Sequence, residues 1–231
     1  MKSFIYILLT SLTFLVVGCQ NESEEIRLIN QAERLFDAYP DSVITTLDSI
    51  PLLEEMSPRL IARWCMLYAR AADKIEDEMP YTNQLEIALK YYQKKKMREE
   101  EAEIGLYLGR SYVEDKEYEK AMRAYSDALE VALAIKDYNR AGYICSYMGD
   151  LYEVDLRYIL AAEKYKESGK YFHLANNTTS YVRAFVNEAH SYSIADSSYL
   201  ALASLKQAEM VMDSLNVEEV RSYVYNGLSN I

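Results

Sequence analysis

The chain repeats itself every forty residues, and that period limits what it can fold into more than any other feature. Small residues recur at Ala69, Gly109, Gly149 and Ala189. Three positions later stand Ala72, Tyr112, Tyr152 and Tyr192. Further columns hold Tyr81, Ala121, Ala161 and Ala201, then Leu85, Tyr125, Tyr165 and Leu205, then Ala88, Ala128, Ser168 and Ala208. Columns that keep register over four units without a gap point to a repeat architecture, in which each unit buries its apolar face against its neighbours.

The spacing inside each unit is helical. Cys145, Met148, Gly149 and Tyr152 fall at i, i+3, i+4 and i+7 on one helix face, and Ala161, Tyr165 and Ser168 continue the pattern on a second helix. A polar break at 153–157 separates the two, and the next break falls near 176–178, after the second helix. Each unit is therefore expected to be a helix, a turn, a second helix and a connecting turn. Seven Gly and four Pro are too few for the turns of an all-β sandwich or barrel.

Leu108-Gly109, Tyr112, Ala121, Tyr125 and Ala128 reproduce a Leu-Gly pair, an aromatic three later, then Ala, aromatic and Ala. Met148-Gly149, Tyr152, Ala161, Tyr165 and Ser168 nearly do. The pattern resembles the tetratricopeptide repeat (TPR) over about 60–231, with a forty-residue period in place of the usual 34 and no closing Pro. The resemblance implies an all-α superhelix of antiparallel helix pairs, with units at 62–101, 102–141, 142–181 and 182–221. The outer two units are degenerate, with Tyr81 and Glu188 in unexpected places. A helical segment at 26–61 precedes them, and 222–231 reads as the incomplete first helix of a further unit. At this end of the array, Leu205, Val211, Leu215, Val220 and Val224 are expected to be only partly covered, which would favour self-association.

The first eighteen residues read as a leader. Lys2 precedes an apolar stretch, FIYILLTSLTFLVV, that is shorter than the roughly twenty residues a spanning helix needs. Val16-Val17-Gly18-Cys19 resembles the bacterial lipobox. That resemblance implies a signal peptide at 1–18 and acylation of Cys19, so that lipid anchors the mature chain to a membrane. The polar tether at 19–25, QNESEE after Cys19, is similar to the lipoprotein export signal of Bacteroidetes, which implies the outer membrane and its outer face. PDSVITTLDSI at 40–50 followed by ALKYY at 88–92 resembles a large group of Bacteroidetes TPR proteins. Longer members of that group carry a membrane helix and a DNA-binding or kinase-like end, so the chain is expected to be a truncated member.

Chemistry is sparse. His173 and His190 are the only imidazoles and lie in different helices, three Cys make neither a disulfide framework nor a zinc site, and no phosphate loop or nucleophile elbow occurs. No catalytic residue, metal or cofactor is therefore expected. A net charge of −11 argues against nucleic acid as a partner. Of the 22 Tyr, many occupy packing columns and are expected in the core. The run Lys94-Lys95-Lys96-Met97-Arg98 is expected to be a solvated helix end, and Cys65 and Cys145 to be buried.

In TPR proteins the inner helix of each pair lines a concave groove. By that resemblance, Arg70, Arg110, Asp150 and His190, with Arg63, Glu103, Tyr143 and Arg183 seven residues earlier, face a partner. Arg63, Arg70 and Arg110 would form a basic patch, unless surface pairs such as Arg110 with Glu114 neutralise it. The reading that follows is a non-enzymatic, lipid-anchored envelope scaffold that binds a protein or peptide. Its alternatives are the sensory or regulatory repeat module of a truncated signalling protein and a glycan-binding uptake lipoprotein.

Overall fold

The computed structural model describes residues 23–50, 56–215 and 217–229. Among them are eleven α-helices and no strand. The helices are Glu24–Leu35 (α1), Pro40–Asp48 (α2), Pro58–Ile75 (α3), Thr82–Lys95 (α4), Arg98–Glu114 (α5), Tyr118–Ala134 (α6), Tyr138–Val154 (α7), Tyr158–Leu174 (α8), Thr178–Ile194 (α9), Ser198–Leu215 (α10) and Arg221–Ser229 (α11). Each packs on the next in antiparallel pairs, and first helices also touch first helices of neighbouring pairs. The leader, Cys19 and most of the tether lie outside the described residues. No helix among the described residues is long and apolar enough to cross a membrane.

The first helices of successive pairs start at Pro58, Arg98, Tyr138 and Thr178, forty residues apart. The turns recur at half that period. Glu76, Lys96, Lys116, Lys136, Leu156, Asn176 and Asp196 all have positive φ, each twenty residues after the last. At each of these turns the next residue's N–H reaches back to a carbonyl five residues earlier, as in Glu117 to Tyr112 and Arg157 to Tyr152, both 2.8 Å. This left-handed closure satisfies a helix-end carbonyl and reverses the chain. None of the seven positions is glycine, so each carries the cost of a left-handed L-residue. Side-chain caps start some helices: Ser57 accepts from Leu60, Asp137 from Arg140 and Asn177 from Ser180.

Packing within a pair rests on the small column. A Cβ on Gly149 would lie 2.7 Å from Tyr165 Cε1, and one on Gly109 would overlap the Tyr125 ring. Both tyrosines are buried. In the first and last complete pairs the same two columns hold Ala69 with Leu85 and Ala189 with Leu205, all buried. The sum of the two side-chain volumes is kept: glycine faces tyrosine, alanine faces leucine. Interior packing at near-crystal density requires such matching.

Two irregularities have local causes. Residues before proline avoid the α region, so Pro80 keeps Met79 out of a helix and α4 starts only at Thr82. Tyr81 therefore precedes its helix and is 77% exposed instead of filling the small column. The basic run 94–98 spans the end of α4 and the start of α5 and is exposed, followed by Glu99, Glu100 and Glu101. Cations at a helix C-terminus and anions at the next N-terminus both complement the helix dipoles.

Cys65 and Cys145 are buried free thiols. Burial raises both pKa values, that of Cys145 to about 12, so neither is a ready nucleophile. The end of the array differs from expectation. Of the five side chains expected to be poorly covered, Leu205, Val211, Val220 and Val224 are buried, and only Leu215, at 55%, is exposed. A 3₁₀ turn at Glu218–Val220 resumes the forty-residue register and carries α11 onto α9 and α10. Val224 thereby takes the place that Trp64, Ile104, Ile144 and Ala184, all buried, hold in the earlier first helices.

Candidate functional site: a groove along the first helices

Three depressions, of about 530, 540 and 550 Å³, run along the first helices α5, α7, α9 and α11. The first two share Tyr143 and Arg183, and the second and third share Asn187 and Tyr223, so they form one continuous groove. It arises because first helices lie side by side while second helices stack behind them.

The sequence-derived residues distribute unevenly along it. Glu103, Arg110, Tyr143 and Arg183 line the first depression, and His190 the third. Arg70 reaches this surface through Glu103, which accepts from Arg70 Nε at 2.6 Å and from Arg70 Nη2 at 2.7 Å. Asp150 accepts from Tyr165 Oη at 2.5 Å. Withdrawal from water raises its pKa, an effect that hydrogen bond only partly offsets, and Glu153 adds to it. Arg63 sits apart, donating to Asn30 at 3.0 Å and Glu33 at 2.6 Å on α1.

The expected basic patch does not exist. Arg63 pairs with Glu33, Arg70 with Glu103 and Arg110 with Asp73, each on a neighbouring pair of helices. Glu114, four residues from Arg110, instead accepts the Met79 backbone N–H at 3.0 Å. Glu103 is a hub: it also accepts from Arg140 Nη2 at 3.2 Å, and Arg140 in turn holds Asp137. The hydrogen bond that Arg70 donates to Glu103 leads the causes that raise the Arg70 pKa, so this guanidinium stays charged.

Arg183 is the exception. It is exposed and makes no ion pair among the described residues, and it lies where the first two depressions meet, between Tyr143 and Tyr223. Ser180 Oγ and Tyr143 Oη lie 3.4 Å apart beside it, and Tyr223 Oη donates to Asn187 Oδ1 at 2.6 Å. A free guanidinium among hydroxyls and an amide can hold a carboxylate or a backbone carbonyl. Reading the columns alone missed Asp73, Tyr107, Arg140, Tyr147, Asn187 and Tyr223. Five of the six lie three or four residues from a predicted position, so following each helix face one turn further would have found them. Among the described residues no group of His, Cys, Asp and Glu could hold a metal ion.

No protein-family model matches the chain, and no curated protein sequence matches it. Solved structures do resemble it. RapI in its apo form superposes with a TM-score of 0.66 at 12% identity, over 87% of this chain and 74% of that one. A kinesin light chain of Podosopora anserina with nearly identical TPR-like repeats gives 0.58 at 11% identity, over 86% of this chain and all of that one. BtubC (BKLC) from P. vanneervenii gives 0.55 at 18% identity, over 82% and 75%. At such identities the likeness bears on architecture alone, and the architecture is an all-α, TPR-like solenoid of antiparallel helix pairs.

Proposed function

We propose that the protein is a non-enzymatic scaffold that binds a protein or peptide segment along the groove, with an acidic side chain or carboxylate of the partner at Arg183. The observation that carries this reading is the continuity of the groove with one uncommitted arginine in it, where Arg70, Arg110 and Arg140 are each engaged by a carboxylate. Committed pairs shape the groove walls, and an exposed guanidinium without a partner supplies attraction. The lipobox-like Cys19 and the acidic tether support an anchored position in the cell envelope, at the outer membrane and on its outer face.

Fluorescence anisotropy with labelled extended peptides tests the groove. Acidic peptides should bind, Arg183→Glu should abolish that binding, and Glu130→Lys on the outer side of α6 should leave it intact. Equal binding of acidic and basic peptides, or indifference to Arg183→Glu, overturns the reading. Glycan binding that survives Arg183→Glu but is lost on Tyr143→Ala would replace it with the uptake reading. For the anchor, Cys19→Ser should move the protein out of the detergent phase, and unchanged partitioning would refute lipidation.

A further inference from the structure

We infer that a second site, on the side of α9 away from the groove, takes a small apolar molecule that carries a primary ammonium group. On α9 the groove residues Arg183, Asn187 and His190 share one face. Tyr181, Phe185 and Glu188 fall on the opposite face at 100° per residue, where they border a cavity of about 400 Å³ against α8. That volume is in the range of small-ligand sites.

The cavity follows from small side chains at the contact. Gly169 on α8 faces Ala184 on α9, and even an added Cβ would come to 3.3 Å from the Ala184 Cβ. Beyond this narrow contact the walls are apolar, formed by Tyr165 and Leu174 on one side and Tyr181 and Phe185 on the other. Phe185 and His173 flank Tyr181 with ring centroids 5.0 Å away on each side, so the wall is a run of aromatic faces.

At its boundary sits Glu188, 4% exposed. The columns forty and more residues earlier hold Tyr68, Leu108 and Met148, so a carboxylate stands where the other pairs place a large apolar side chain. No cation closes to an ion pair with it among the described residues. Lys166 and Lys170 also border the cavity and attract it from a distance, with exposed side chains, and Ser204 donates a hydrogen bond. Burial outweighs these and raises its pKa. A buried carboxylate with this little compensation is unfavourable unless a countercharge arrives. An ammonium group supplies it and gains from the aromatic faces, while the apolar body of the same molecule fills the walls. An anionic ligand would meet Glu188 directly.

Calorimetric titration of the full chain with 2-phenylethylammonium, 2-phenylethanol and phenylacetate at neutral pH separates the possibilities. The ammonium ion should bind most tightly, Glu188→Gln should weaken it by roughly tenfold or more, and Lys166→Gln should tighten it by removing a competing cation. Arg183→Glu, in the groove, should leave it unchanged, so failure here is distinct from failure of the groove reading. Absence of ammonium binding at millimolar concentration overturns the inference. So does alcohol or phenylacetate binding as tight as the ammonium ion's, or indifference to Glu188→Gln in a variant that melts like the parent.

Discussion

Replacing Gly149 by alanine sets two known effects against each other. Glycine in a helix interior costs up to about 1 kcal/mol relative to alanine, so on propensity alone the change would stabilise α7. Contact geometry opposes this. The new Cβ would lie 2.7 Å from Tyr165 Cε1 and 2.9 Å from both Cδ1 and Cζ. The ring cannot swing away cheaply, because Tyr165 is 2% exposed and its hydroxyl donates to Asp150 at 2.5 Å. Overpacking of this kind costs about 1–3 kcal/mol, so a net loss of about 1 kcal/mol is expected. In a chain of this length that lowers Tm by roughly 2–4 °C. The repeats supply the rescue: where the small column is alanine, its partner is leucine, as in Ala69 with Leu85. Tyr165→Leu should therefore offset Gly149→Ala in a double-mutant cycle, with a coupling of about 1 kcal/mol. Thermal and urea melts of the four proteins measure it. A higher Tm for Gly149→Ala, or strict additivity in the cycle, would refute the contact argument.

Three further outcomes are expected. Leu156→Gly should raise the urea midpoint by the equivalent of about 0.5 kcal/mol, because relief of the left-handed backbone exceeds the added unfolded-chain entropy; Asn176→Gly should gain less, and no gain at Leu156 would count against the turn geometry. Glu103→Gln should cost about 1 kcal/mol by releasing Arg70 and Arg140, a figure kept small because the Arg70 side chain is 42% exposed, and the loss should shrink in high salt. Glu188→Gln should stabilise the protein at neutral pH. The folded state raises this pKa above 4.5, so the folded chain holds the proton more tightly and wild-type stability falls as pH rises through the folded value. The advantage of glutamine should therefore vanish below about pH 4, and an advantage that persists there would show that the carboxylate is not the cause.

Much of the fold was legible in the residues themselves. A solenoid is held by contacts between neighbouring helices, and the same contact recurs in each unit, so it prints itself as columns: Gly109 with Tyr125, Gly149 with Tyr165, Ala189 with Leu205. Alanine and glycine at those places leave only helix-on-helix packing as a use for them. The buried thiols and the helix-end charges at 94–98 were legible for the same local reasons. The candidate site was not. Arg63, Arg70 and Arg110 lie on faces predicted from spacing, but whether a face is charged depends on which carboxylate reaches it, and Glu33, Glu103 and Asp73 do so from adjacent pairs, 30 to 37 residues away. That choice is made by the offset between neighbouring helices and the reach of flexible side chains, and neither leaves a trace in the period. Burial of Val220 in the turn and of Val224 on α11, as that helix packs on α9 and α10, and the cavity beside Glu188, were likewise decided only when the helices docked. The residues alone determine which helices pair, because pairing is near-neighbour and repeated; tertiary structure decides which charges remain free, because that depends on distances between helices that no periodicity encodes.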